Sequence, residues 1–323
     1  MTDKIVLLNA PGDVSQFRLR DQPCQSPGAD EIKIRHQAVG TNFLDVYHRK
    51  GLYALPSYPA VIGVEAAGVV EEVGADVSGF KPGDRVAYGG PPAGAYSTTR
   101  IVAADRVIRL PDGVSAKVAA SSLLKGMTAY MLLKKVTNVA DGSTVLIHAA
   151  AGGLGSILVR WAKSLNATVI GTVSSPEKAD LATSYGADHL IVGRKADIVA
   201  EVQRITGGKG VDVAYDGIGG DMLLKSIRAV RPFGTAVSIG QAAGPIPPVD
   251  VEELRPGKSL TYPSIMAWCA DLGRYREAAE TAISAMERGI VCEIAAEYRL
   301  AEVAKAHEDM ESGRAAGSIL LVP

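Results

Sequence analysis

Apolar residues in this chain change their period near residue 140. Before that point, short extended runs at 32–39, 68–74 and 84–88 are broken by Pro82-Gly83 and Pro111-Asp112-Gly113, the signature of short strands joined by turns. The run beginning at Ile5 reads as a first strand, and the whole stretch to about Leu110 as a β-rich, barrel-like unit. A helix is expected over 116–135, with Gly126 inside it. Beyond it, β-branched runs at 144–148, 168–173, 189–192, 211–216 and 235–239 alternate with helical spacing at 154–165, 177–185, 198–206 and 222–230. Five strands alternating with helices predict an α/β fold built on a doubly wound parallel sheet, which binds ligands outside the carboxyl ends of its strands. A sixth strand is expected at 259–263, then amphipathic helices at 275–288 and 300–312 and a last strand at 318–322.

The first strand-to-helix turn is rich in Ala and Gly: His148-Ala149-Ala150-Ala151-Gly152-Gly153-Leu154-Gly155. Gly152 and Gly153 let the backbone approach a pyrophosphate, which the free N–H groups of a helix N-terminus attract, and Gly155 lets helix and strand pack closely. Ala150 stands where the usual G-x-G-x-x-G motif has its first glycine. Such a turn also joins strands to helices for packing alone, so the second strand matters more. It runs into Ser174-Ser175-Pro176-Glu177-Lys178, with no carboxylate before Glu177 to accept from a ribose 2′-OH. A 2′-phosphate would avoid a carboxylate and pair with Lys178, which points to NADPH; the alternative is that Lys178 is a solvated first-turn residue. Asp216-Gly217-Ile218-Gly219 ends the fourth strand, at the ligand-binding edge of the sheet.

Composition narrows the class. The 323 residues suit about two domains, and 34 basic against 35 acidic residues leave a net charge of -1, with no basic cluster to favour nucleic acid or an anionic membrane. Three distant cysteines, Cys24, Cys269 and Cys292, fit a reducing compartment better than a disulfide framework. No run approaches the ~20 apolar residues of a spanning helix, and the N-terminal run is too short for a signal peptide, so a cytoplasmic protein is expected.

Several stretches together resemble the zinc-free, NADPH-dependent quinone oxidoreductases, relatives of ζ-crystallin within the medium-chain dehydrogenase/reductase superfamily. They are Gly40-Thr41-Asn42-Phe43-Leu44-Asp45-Val46-Tyr47, Gly51-Leu52-Tyr53, Gly63-Val64-Glu65-Ala66-Ala67-Gly68, Lys81-Pro82-Gly83-Asp84-Arg85-Val86, Leu124-Lys125-Gly126-Met127-Thr128-Ala129-Tyr130, and His148 through Gly155. The resemblance implies a GroES-like barrel formed by 1–122 and 265–323, and a Rossmann domain at 123–264. Zinc relatives carry Gly-His-Glu where this chain has Gly63-Val64-Glu65. Valine cannot ligate zinc, and the five histidines form no spaced cluster, so no metal site is expected.

The same resemblance implies roles. Asn42, Tyr47 and Tyr53 match positions lining the nicotinamide and substrate cleft of relatives, where Asn42 hydrogen-bonds a cofactor hydroxyl or amide and the tyrosines polarise the quinone oxygen or donate a proton through water; the alternative for each Tyr is aromatic packing at a domain edge. Lys125, Thr128, Gly240 and Gln241 reach the nicotinamide end, while Gly217, at the carboxyl edge of the sheet, either meets the cofactor or simply admits the turn. The turn Ala150, Gly152, Gly153, Leu154 and Gly155 holds the pyrophosphate, joined by the N–H groups of Gly317 and Ser318. Ser174 and Lys178 take the 2′-phosphate. Where relatives often carry a Tyr beside that phosphate this chain has Gly193, and Arg194 or Lys195 is expected to compensate. Relatives often have Asn in place of Gln241, and Arg where this chain has Tyr262. The implied activity is NADPH-dependent reduction of a quinone. The alternatives are reduction of α,β-unsaturated carbonyls in the same site and a non-catalytic, NADPH- or RNA-binding, crystallin-like role. Pairing of Rossmann edge strands implies a homodimer.

Overall fold

The computed structural model describes residues 2–323; Met1, with which the expected barrel domain begins, lies outside them. The chain divides into two compact units, one comprising residues up to Met127 together with Ile265–Pro323, the other Thr128–Ser264.

The second unit is the doubly wound sheet. Its strands are β1 (Thr144–Ile147), β2 (Thr168–Val173), β3 (His189–Val192), β4 (Val211–Asp216), β5 (Val230–Ser238) and β6 (Ser259–Thr261), and they lie in the order β3-β2-β1-β4-β5-β6. All neighbours are parallel. The order reverses between β1 and β4, which is where such sheets open a crevice for a dinucleotide. The helices α1 (Gly153–Ser164), α2 (Pro176–Ser184), α3 (Ile198–Ile205) and α4 (Met222–Ala229) follow β1 to β4 in turn. Their apolar residues recur one turn apart: Ile198 and Val202 of α3, with Leu223 and Ile227 of α4, pack on Leu146, Ile170, Ala214 and Ala236 from four adjacent strands. Ser175 caps α2 and Pro176 opens it, as its sequence predicts.

The first unit is antiparallel except for one parallel pair, Ile294–Arg299 beside Ser318–Val322. Its long strand Glu31–Gly40 pairs with Glu65–Val73, with Thr99–Ala103, and through Leu320↔Gly40 and Leu321↔Val39 with the C-terminal strand Ser318–Val322. The chain's end therefore completes the sheet its beginning started. Inward residues at every second position, among them Ile32, Ile34, Val70, Val86, Ile319 and Leu321, make one core.

Two elements differ from the pattern-based expectation. The helix expected over 116–135 is α-helical only over Ala116–Tyr130; Met131–Val136 is a wider π-type turn, because the N–H and hydroxyl of Thr137 both donate to the carbonyl of Leu132, five residues back. A short helix, Phe43–Lys50, is the second. Asp45 accepts from the N–H of Asn42 at its start, and Gly51 ends it in the left-handed region at φ 76°.

Leu146 is fully buried at the centre of the parallel sheet, so Leu146→Ala is expected to cost about 2–5 kcal/mol. Denaturant unfolding followed by far-UV circular dichroism checks it; a midpoint shift within error would contradict the packing described.

Candidate functional site

In the nucleotide-binding unit, the turn after β1 is built by close backbone approach. Ala149 takes the left-handed conformation, φ 50°, and its carbonyl accepts from the Gly152 N–H at 2.8 Å. A Cβ at Gly155 would strike the Ala149 carbonyl oxygen, so α1 seats against the turn only because residue 155 is glycine. Gly152 is the N-cap, and the first-turn N–H groups of Gly153, Leu154 and Gly155 have no acceptor within the helix. Ala150 is buried; its N–H donates to Thr172 O, and it faces Gly171 of β2.

A buried polar chain holds the turn from below. Asp216, at the carboxyl end of β4, accepts from the N–H groups of Ile218 (2.7 Å) and Gly219 (3.0 Å), and from the Ser226 hydroxyl (2.8 Å). Because Ser226 donates to Asp216, its oxygen accepts from His148 Nε2 (2.9 Å), leaving Nδ1 to accept from Thr172 (3.0 Å). Burial lowers the His148 pKa, in keeping with a neutral ring. His148 is thus structural. Ala242 and Ala243, following Gly240-Gln241, donate back to the carbonyls of Gly217 and Ile218. This fixes both strand-end turns. Ser238, at the end of β5, is buried and its hydroxyl has no hydrogen-bond partner among the described residues.

At the end of β2, Ser174 is exposed and Ser175 spends its hydroxyl on the N–H of Lys178. Lys178 is half-buried, and its ammonium is held below the ordinary lysine value by burial and by the neighbouring charge of Arg194. Two cations brought together at a strand end suit an anion.

In the barrel unit, Asn42 caps the helix that carries Tyr47. Tyr47 and Tyr53 meet edge to face with centroids 5.3 Å apart, and the Tyr53 N–H donates to the Tyr47 carbonyl. Behind Asn42 lies a polar cluster that sequence reasoning missed. Glu65 is wholly buried; its carboxylate accepts from the N–H of Leu124 (2.6 Å) and from Asn42 Nδ2 (3.0 Å), and lies 3.5 Å from Lys125 Nζ. Lys125 also donates to Asn42 Oδ1 (2.9 Å) and to Thr41 O (3.4 Å). Thr128, one turn further along the helix, is half-buried. The role expected of the Ser318 N–H needs correction: it donates to Glu293 O at 2.7 Å. The hydroxyl of Ser318, buried and without a hydrogen-bond partner among the described residues, is the group left available there. No group of three His, Cys, Asp or Glu among the described residues is placed to hold a metal ion.

Comparison with known proteins gives the lineage of the two units. Residues 28–112 match the alcohol dehydrogenase GroES-like domain, and 153–284 match the zinc-binding dehydrogenase model. The chain is 40% identical over 323 residues to a quinone oxidoreductase of Pseudomonas aeruginosa, covering 99% of each chain. The chain belongs to the quinone oxidoreductase family. Within the same medium-chain superfamily, it is 40% identical to a 2-haloacrylate reductase of Burkholderia, covering 98% of each. It superimposes on the Escherichia coli quinone oxidoreductase crystallised with NADPH with a TM-score of 0.94 at 37% identity, over 99% of this chain and 100% of that one.

Departures from the family pattern have physical reasons in this member. Gly193 stands at φ 106°, a conformation in which a tyrosine would be strained, and its N–H is tied to Val173 O. Val64, at the position of the zinc relatives' histidine, is fully buried.

The barrel unit also carries a titrating carboxylate. Asp45 accepts from Tyr96 (3.1 Å), whose oxygen accepts from His307 Nε2 (2.9 Å), and Arg49 lies on the other side of His307. Burial pushes Asp45 up to about 7 from 3.8, and pushes His307 down to about 3 and His36 down to about 4 from 6.5. Between about pH 4 and 7 the folded protein therefore holds a proton on Asp45 that the unfolded chain releases, a gain on acidification. Below pH 6.5 the unfolded chain protonates histidines that the fold keeps neutral, a larger loss. Asp45→Asn removes only the gain. Its stability relative to wild type is expected to rise as pH goes from about 4 to 7, measured by melting temperature across that range; parallel curves would contradict the assignment.

Proposed function

We propose that the protein is an NADPH-dependent quinone oxidoreductase that works without a metal ion. The observation that carries this reading is the paired Lys178 and Arg194 charge at the end of a second strand lacking a carboxylate, in a chain of this family. Bound NADPH supplies the hydride.

The chain's own residues bind and orient. The Gly152, Gly153, Leu154 and Gly155 turn, with Ala150 beneath it, offers N–H groups to the pyrophosphate, and Lys178, Arg194 and Ser174 take the 2′-phosphate. Gly217, Gly240, Gln241 and Thr128 serve the nicotinamide end, and Gly317 and the hydroxyl of Ser318 serve the pyrophosphate. Asn42, Tyr47 and Tyr53 orient the quinone. A phenol with a pKa near ~10 is a reluctant acid at neutral pH, and the reduced quinone takes its protons from solvent. Lys125 acts from behind Asn42.

A second reading is reduction of an activated C=C bond, favoured by the similarity to the 2-haloacrylate reductase; a quinone is itself a doubly conjugated enone. A panel of benzo- and naphthoquinones set against alkenals and 2-haloacrylate separates the two. Quinones are expected to give the highest kcat/KM, and NADPH oxidation with none of them would overturn the proposal. Lys178→Ala is expected to raise the KM for NADPH on the order of 10- to 100-fold, the worth of a lost charge-assisted hydrogen bond, with NADH little changed. An equal effect on both cofactors would remove Lys178 from the phosphate site.

The protein is further proposed to act as a cytoplasmic homodimer. In support, β6 pairs on one side only, and Tyr262 (54% exposed) and Phe233 (81%) leave large apolar surface uncovered in the same unit. Light scattering coupled to size exclusion is expected to give twice the chain mass; a monomer would contradict it.

A further inference from the structure

We infer that Glu65 is a positioning residue that fixes which way round the Asn42 amide stands, so that an N–H of its Nδ2 is presented to a bound ligand. For its activity readout the inference rests on the reading above.

Glu65 opens the strand Glu65–Val73 in a run of small apolar residues and is 0% exposed. One of its oxygens is occupied by the Leu124 N–H, and the other meets Asn42 Nδ2 at 3.0 Å. On the opposite end of the same amide, Lys125 Nζ lies 2.9 Å from Asn42 Oδ1. A carboxylate only accepts and an ammonium only donates, so the amide fits one way round. Reversal would set its oxygen against the Glu65 carboxylate and its NH2 against the Lys125 ammonium. The backbone closes the cluster, since a Cβ at Gly40 would strike both the Ala120 carbonyl and the Glu65 carboxylate.

The consequence is chemical. Lys125 takes one lone pair of the amide oxygen and Glu65 takes one N–H, which leaves the second N–H of Nδ2 as a donor for a ligand. The atom it meets is an acceptor oxygen, a carbonyl or hydroxyl of the quinone or of the cofactor's amide or ribose. Lys125, with its donors turned toward Asn42, Glu65 and Thr41, holds the amide from the other side.

The test is a double-mutant cycle on the full-length protein with Glu65→Gln, Asn42→Ala and the pair, read as kcat, KM, NADPH dissociation constant from nicotinamide fluorescence, and melting temperature. A glutamine keeps the shape but can turn only one oxygen, so with Leu124 bound its NH2 faces the Asn42 NH2 and the contact that fixes the amide is lost. Glu65→Gln is expected to lower kcat/KM, or weaken NADPH binding, on the order of 10- to 100-fold. In the Asn42→Ala background the further loss is expected to stay below about twofold, and Glu65→Asp is expected to recover part of the activity. Equal losses in both backgrounds, or no loss in either, overturn the inference. Should Glu65→Gln not fold, Lys125→Met releases the same amide and is read in the same cycle with the same criteria. If wild type reduces no quinone, the functional reading fails by itself, and the cycle on NADPH affinity decides the fate of the Glu65 inference.

Discussion

A carboxylate with no access to water must be paired, and the barrel unit is arranged around that requirement. Glu65 is buried where zinc relatives put a metal-binding triplet, yet the residue before it is valine. Its partners come from separate parts of the unit: Asn42 after the long strand Glu31–Gly40, and Leu124 and Lys125 from the helix Ala116–Tyr130. Leaving such a charge unmatched costs several kcal/mol, so these elements are held in one register by the need to satisfy it. The same contacts fix the orientation of the Asn42 amide.

The nucleotide-binding unit solves a different problem, that of bringing backbone close to phosphate. Its constraint is steric: a glycine at 155 and a left-handed Ala149 let helix and turn touch. Its polar chain from Asp216 through Ser226 to His148 and Thr172 then locks the strand ends, so that N–H groups point outward without reorganisation when an anion arrives. The repulsion between Lys178 and Arg194 is a cost in the free protein that a bound phosphate would relieve.

Much of this was legible in the letters. The strand–helix alternation gave the parallel sheet because its strands are buried on both faces and read as continuous apolar runs. The turn at 148–155 was readable for the same reason, since glycine spacing reports backbone geometry. What the letters concealed was partnership over long separations. Glu65 stood in a quoted motif, but nothing local showed that its charge faces residues 42 and 125. Likewise the Ser318 N–H was assigned to a phosphate because its commitment to Glu293 arises from the pairing of sequence-distant segments. The helix Phe43–Lys50 did carry a signal, an Asn with an Asp three residues on and a closing Gly51, though it is too short for periodicity to reveal.

We propose that this protein reduces a quinone with NADPH and with no metal taking part. Single-turnover oxidation of NADPH by a naphthoquinone, on enzyme stripped with a strong chelator, tests it most directly. The account predicts a rate unchanged by chelation and higher with NADPH than with NADH. A reaction that disappears on chelation and returns with added zinc, or that runs equally well with NADH, would contradict it.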